Sequence, residues 1–154
     1  PRYFKGGLYE PHSTKKTISN AMDVSDPSNF TRIQKIFNSD LQKLKKNVSS
    51  FSFDDTVTKE AMRLLYNSYN YLTCPHTAVG FLGLKKYLDT HKITNVNGIF
   101  VSTAHCIKFK DVVESSIKTN IKYPKSVKDI LNKEKKSLSI ENYNDLKDFL
   151  LSRV

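Results

Sequence analysis

Apolar positions along this chain fall mostly at helical spacing, in short stretches separated by turn-forming residues. Asp26 precedes Pro27, the order of a helix cap followed by proline at the first helical position, and Phe30, Ile33, Phe37, Leu41 and Leu44 follow three or four residues apart. One helix is predicted through them. Asp54-Asp55 introduces a second, with Val57, Ala61, Leu64 and Leu65 on one face, while Ser49 to Phe53 between the two is ambiguous. Pro75 opens a third, in which Ala78, Phe81, Leu84 and Leu88 share a face, and Gly80 and Gly83 leave room for a close neighbour. Phe109, Val112, Val113 and Ile117 predict a fourth helix. Ser126 with Asp129 and Ser139 with Asn142 read as the starts of two short ones.

One segment breaks the helical period. Gly98-Ile-Phe-Val-Ser-Thr103 is short, apolar and β-branched, with Asn97-Gly98 before it and polar residues after it, and predicts a buried strand. A single strand cannot satisfy its own backbone groups, so either further strands escape the pattern or a partner segment supplies them. Residues 1–26, with Gly6-Gly7, Pro11 and clustered Ser and Thr, read as an irregular connector. The division that follows is a connector at 1–26, helices plus a core strand at 27–122, and a helical tail at 123–154. No repeat or low-complexity segment appears.

Composition narrows the functional classes. The chain has 154 residues, 38% of them hydrophobic, enough for one core. Neither a signal-peptide pattern nor a run long enough to span a membrane is present, and Cys74 and Cys106 lack metal-ligand spacing, which predicts a soluble cytoplasmic protein without a membrane partner or a metal. A net charge of +10 raises an alternative, a small basic helical module that binds RNA or an acidic partner. Against nucleic acid, only Arg2, Arg32, Arg63 and Arg153 among the 25 basic residues are arginine, and they are scattered.

Candidate chemistry lies where the predicted strand ends. Ser102, Thr103, His105 and Lys108 bring hydroxyl, imidazole and ammonium groups to the strand-to-helix junction, a place where open α/β sheets bind ligands, and the set suits an anion. Cys106 beside His105 has no acidic group to orient the imidazole, so an ordinary thiol is the better reading than a nucleophile. His76, at the start of the Pro75 helix, is read first as a packing or capping residue and second as a contact to the site.

The stretch Val101-Ser-Thr-Ala-His-Cys-Ile-Lys-Phe109 resembles the Ser-Thr-Ala-His-Pro-Ala-Lys-Phe motif of threonine synthases. Pro75-His-Thr-Ala-Val-Gly80 is similar to a helix start of the same family, and Pro1-Arg-Tyr-Phe4, Thr17-Ile-Ser-Asn-Ala-Met-Asp23 and Pro27-Ser-Asn-Phe30 match in order and spacing. The likeness runs from Pro1 to about Val113 and is looser beyond. It departs at Cys106 and Ile107, where the family usually has Pro-Ala. The resemblance implies an α/β fold: a C-terminal fragment of a fold-type II enzyme like the tryptophan synthase β chain, mostly helical with one or few buried strands. It implies pyridoxal 5'-phosphate (PLP) as cofactor, and conversion of O-phospho-L-homoserine and water to L-threonine and phosphate in the intact enzyme. A phospholyase of the same kind acting on another phosphorylated amino acid is the second alternative.

For the site, the resemblance implies Thr103 beside the cofactor's pyridine nitrogen, with Ser102 next to it. His105, Lys108 and His76 would hold substrate phosphate or orient the loop. The lysine that bonds the cofactor and the glycine-rich phosphate loop belong, in the family, upstream of the motif that Arg2 to Phe4 resembles. This chain alone is therefore expected to be inactive and to need the remaining N-terminal part of the same enzyme as partner.

Overall fold

The computed structural model describes residues 2–153, and Pro1 and Val154, the outer ends of the first and last predicted segments, lie outside them. The chain divides into two units, Pro1–Ile121 and Lys122–Val154.

The core of the first unit comes from helices that start as the sequence predicts. In α4 (Asp55–Tyr69), Asp54 accepts from the Val57 amide at 2.9 Å, satisfying one of the free donors of the first turn. Helix α5 (Pro75–His91) has Pro75 in its first turn, where proline's missing N–H costs nothing. Helix α6 (Lys110–Ile117) follows a 3-10 turn over Cys106–Phe109. Helix α4 packs on both α5 and α6, and Ala61, Met62, Cys74, Ala78, Cys106, Val113 and Ile117 close the buried cluster between them. The buried face of α4 is Thr58, Ala61, Met62 and Leu65, rotated slightly from the predicted one, so that Leu64 is exposed. Buried hydroxyls are satisfied locally: Thr58 donates to the Asp54 carbonyl and Ser116 to that of Val112.

Three expectations are corrected. The predicted helix from Pro27 to Leu44 is two helices. Asp26 does not cap; its carboxylate accepts the Tyr9 hydroxyl at 2.7 Å, and α2 (Phe30–Ile36) begins four residues after it. Asn38 and Ser39 then adopt positive φ, and Asp40 caps α3 (Leu41–Asn47) through the Gln42 and Lys43 amides. Short polar side chains in sequence offer the backbone local hydrogen bonds that compete with continuing the helix. The connector is likewise not wholly irregular. It opens with α1 (Arg2–Gly6), ended by Gly7 at φ +73°, where a Cβ would also lie 2.9 Å from Leu41 Cδ2, and it includes a 3-10 turn at Asn20–Met22.

The third correction concerns the strand. Among the described residues there is none: 98–103 carries no regular secondary structure, and Ile99 is 86% and Val101 70% exposed. Apolar, β-branched character favours an extended backbone, whereas a strand exists only through a neighbour's hydrogen bonds. Phe100 is held edge-on to Tyr71 and Phe81. Gly98 permits the close approach to α5, since a Cβ there would fall 2.7 Å from Leu84 Cδ2.

The second unit contains α7 (Lys125–Leu131) and α8 (Tyr143–Leu151). Asn142, not Ser139 three residues before it, caps α8, accepting from Asn144 and Asp145 while its side-chain amide donates to Asp145 at 2.8 Å. Ser139 makes no cap, and α7 starts after Pro124 without a side-chain cap, so Ser126 lies inside its first turn. No helix among the described residues is long and apolar enough to cross a membrane.

Candidate functional site

The segment after Gly98 delivers Ser102, Thr103, Ala104 and His105 to the buried end of α5. Ser102 accepts a hydrogen bond from Thr77, a fully buried residue of the α5 first turn, at 3.1 Å. Thr103 is exposed and its hydroxyl makes no hydrogen bond among the described residues. Ala104 packs on the core cluster and anchors the turn from below.

His105 is exposed and caps the 3-10 turn, its Nδ1 accepting from the Ile107 amide at 3.1 Å. That bond requires a lone pair on Nδ1, so the neutral ring carries its proton on Nε2, which faces outward as a donor. Lys108 lies exposed on the same turn. Thr103, His105 and Lys108 are each exposed within six residues of one another, and no carboxylate occurs in sequence between Ile99 and Phe109.

His76 is engaged elsewhere. Its Nε2 accepts from the Ala21 amide at 3.1 Å and its ring leans on Phe109 at 4.6 Å between centroids. Partial burial holds the imidazole below its usual range, against the opposing pull of Asp23. A neutral ring is also what the Ala21 bond requires. Asp23 in turn accepts from the Thr17 amide and hydroxyl, both at 2.7 Å, so the Thr17–Asp23 turn is closed on itself, and it is tied to α5 through His76 and to α4 through the Ile18 amide on Asp55.

Cys106 is buried, and burial pushes its thiol above the ordinary range, the opposite of what a nucleophile needs. The nearby His105 Nδ1, 3.8 Å from the sulfur, is already engaged with Ile107. Among the described residues no group of His, Cys, Asp and Glu could hold a metal ion.

Two clefts flank this region, and neither contains Ser102 or Thr103. The larger, about 1080 Å³, lies between α1, the connector and the start of α4, with Arg2, His12, Lys15 and Lys16 opposite Glu10, Asp54 and Asp55. The smaller, about 650 Å³, runs along Gly80, Gly83, Leu84 and Tyr87 of α5 and the exposed side of Ile99, Phe100 and Val101. It ends one residue short of Ser102. A Cβ on Gly80 or Gly83 would meet nothing within 4 Å, so the close neighbour that the glycines suggest is not found among the described residues.

A family profile described as "Threonine synthase, C-terminal" matches residues 77–150, and a threonine synthase of Buchnera aphidicola subsp. Schizaphis graminum is 37% identical over 154 residues, covering 99% of this chain and 34% of the relative. The chain is similar to threonine synthases over nearly its whole length. The crystal structure of threonine synthase from Escherichia coli superposes with a TM-score of 0.80 at 30% identity, over 100% of this chain and 35% of that one. A structure of threonine synthase from Brucella melitensis, described as PLP-bound, shares the fold with a TM-score of 0.66 at 19% identity, over 99% and 37% of the two chains. The chain therefore spans about a third of the length of the family members it matches.

The residues present fit part of such a cofactor's surroundings. A neutral hydroxyl with a free proton, as on Thr103, suits a ring nitrogen that stays unprotonated, and an exposed stretch with a cation and no carboxylate suits a phosphorylated ligand. Thr77 was not singled out by sequence as a site residue. Its signal was weak: a polar residue on the buried face of a helix start.

Proposed function

We propose that this chain forms one wall of the active site of a PLP-dependent threonine synthase, which converts O-phospho-L-homoserine and water to L-threonine and phosphate. The observation that carries the reading is the placement of Thr103. Its unengaged hydroxyl is exposed, within the stretch that the family profile covers.

When bound, PLP supplies the electron sink for proton removal and phosphate loss. The Thr103 hydroxyl donates to the pyridine nitrogen and, being neutral, leaves it unprotonated, while Ser102 supports it from the adjoining position. Such a ring withdraws electrons less strongly than one paired with a carboxylate. Lys108 offers its ammonium to the substrate phosphate, and the outward Nε2–H of His105 can add a donor to the same anion. His76 acts through the Thr17–Asp23 turn, holding the connector against α5 rather than touching the reactants.

The partner is the rest of the same enzyme. Its occupancy of the cleft along Gly80 and Gly83 would cover Ile99 and Val101. By itself the chain does not turn over substrate, because no lysine in it stands in the context of the family's cofactor-binding lysine.

The test is to incubate this chain, and separately the protein at its full natural length, with PLP and O-phospho-L-homoserine. Threonine and phosphate should form in equal amounts with the full-length protein and not with the chain alone. Sustained phosphate release by the chain alone would overturn the partition, and no threonine from the full-length protein would overturn the reaction.

A further inference from the structure

Thr77 is 1% exposed, and its hydroxyl lies between two partners: Cys74 Sγ at 3.3 Å and Ser102 Oγ, to which it donates, at 3.1 Å. A threonine in a helix usually satisfies its hydroxyl on its own helix, four residues back, as Thr58 does in α4. Thr77 instead reaches across 25 residues of sequence. Among the described residues, this is the one hydrogen bond that joins residues 98–104 to another element.

The bond has two consequences for the turn. It fixes Ser102 from the buried side, next to the residue whose hydroxyl faces outward. It also fills an acceptor site on Ser102 Oγ with the Thr77 proton, so the Ser102 proton is left to point away from α5. A rigid helix start thereby sets both the position of the turn and the direction of its donor.

We propose that Thr77 is a positioning residue for the cofactor wall: acting through Ser102, it holds the turn at the place where Thr103 meets the pyridine nitrogen. This rests on the role of Thr103 proposed above. A merely structural Thr77 would fill its space in the core and satisfy its hydroxyl on Cys74, with no effect that depends on Ser102.

The experiment uses the protein at its full natural length, loaded with PLP labelled with 15N in the pyridine ring, and compares Thr77→Val, Thr77→Ser, Ser102→Ala and the Thr77→Val/Ser102→Ala pair. Valine keeps the shape of threonine and removes the hydroxyl; serine keeps the hydroxyl. Thr77→Val should weaken PLP binding about tenfold, the size of one lost buried hydrogen bond, and move the pyridine 15N resonance, with both restored by Thr77→Ser. Ser102→Ala should reproduce the valine effect, and the pair should be no worse than either single change, since all three break one link. An unchanged resonance and affinity in both Thr77→Val and Ser102→Ala, or additive losses in the pair, overturns the positioning role. Should Thr77→Val fail to fold, the Ser102→Ala comparison decides alone, because Ser102 is exposed. Thr103→Val separates the two levels: a resonance that it leaves unmoved overturns the Thr103 assignment, and the role of Thr77 toward the cofactor with it.

Discussion

Helix α5 has two faces of opposite character. Its first turn buries Pro75, Thr77 and Ala78 against the α4–α6 core, with every polar group satisfied. One turn further on, Gly80 and Gly83 offer bare backbone to an open cleft bordered by the exposed Ile99 and Val101. The packed face is complete within this chain. The open face carries costs that nothing in the chain offsets: two glycines in a helix, about 1 kcal/mol each relative to alanine, and apolar side chains in water. A sequence retains such features when a neighbour covers them, and relatives three times as long supply room for one.

The contrast can be broken from the packed side first. Met62 is 1% exposed at the centre of the cluster, and Met62→Ala should lower unfolding stability by about 2–5 kcal/mol in a urea titration. A loss below about 1 kcal/mol would show that this face is not packed as described. Removing the cap beneath it, with Asp54→Ala, should cost about 1 kcal/mol in the same measurement, because the Val57 amide loses its acceptor. On the open side the sign reverses. Gly83→Ala should stabilise the isolated chain by up to about 1 kcal/mol, since the added methyl meets nothing. In the full-length protein the same change should weaken PLP retention by crowding the covering segment. Stabilisation in both settings would leave the open face without a partner.

The smallest expected effect is that of pH on the link between α5 and the connector. His76 is held below its ordinary value by partial burial and must stay neutral to accept from Ala21; the charged and titratable groups facing it are Asp23, which opposes the shift, and the Cys74 thiol, 4.0 Å from Nδ1. A histidine with a lowered folded pKa contributes its full stability above the unfolded value, about 6.5, and loses it as pH falls from there through the folded value. Urea midpoints should therefore decline below about pH 6.5 by an amount that His76→Gln removes. A slope that persists unchanged in His76→Gln would assign it to other groups.

How far the sequence could be read follows the same division. The starts of α4 and α5 were legible because Asp54 and Pro75 mark helix ends by local chemistry, whereas α8 is capped by Asn142, three residues beyond the Ser139 that the pattern suggested. The break at Asn38-Ser39-Asp40 is local too, but apolar periodicity runs across it unbroken and hides it. The segment 98–103 was read as a buried strand and is neither strand nor buried, because both pairing and burial depend on its neighbours. Thr103 and His105 were named as candidates through their place at the end of that segment. Thr77 could not be found this way, since its bond to Ser102 depends on how the helix and the turn approach in space.

The central claim is that Thr103 donates a hydrogen bond to the cofactor's ring nitrogen. The most direct measurement is the pyridine 15N resonance of labelled PLP bound to the full-length protein, compared between the native sequence and Thr103→Val. The account predicts a resonance characteristic of an unprotonated, hydrogen-bonded nitrogen that moves toward the value of a nitrogen without a donor when the hydroxyl is removed. A resonance characteristic of a protonated ring, unmoved by Thr103→Val, would contradict it.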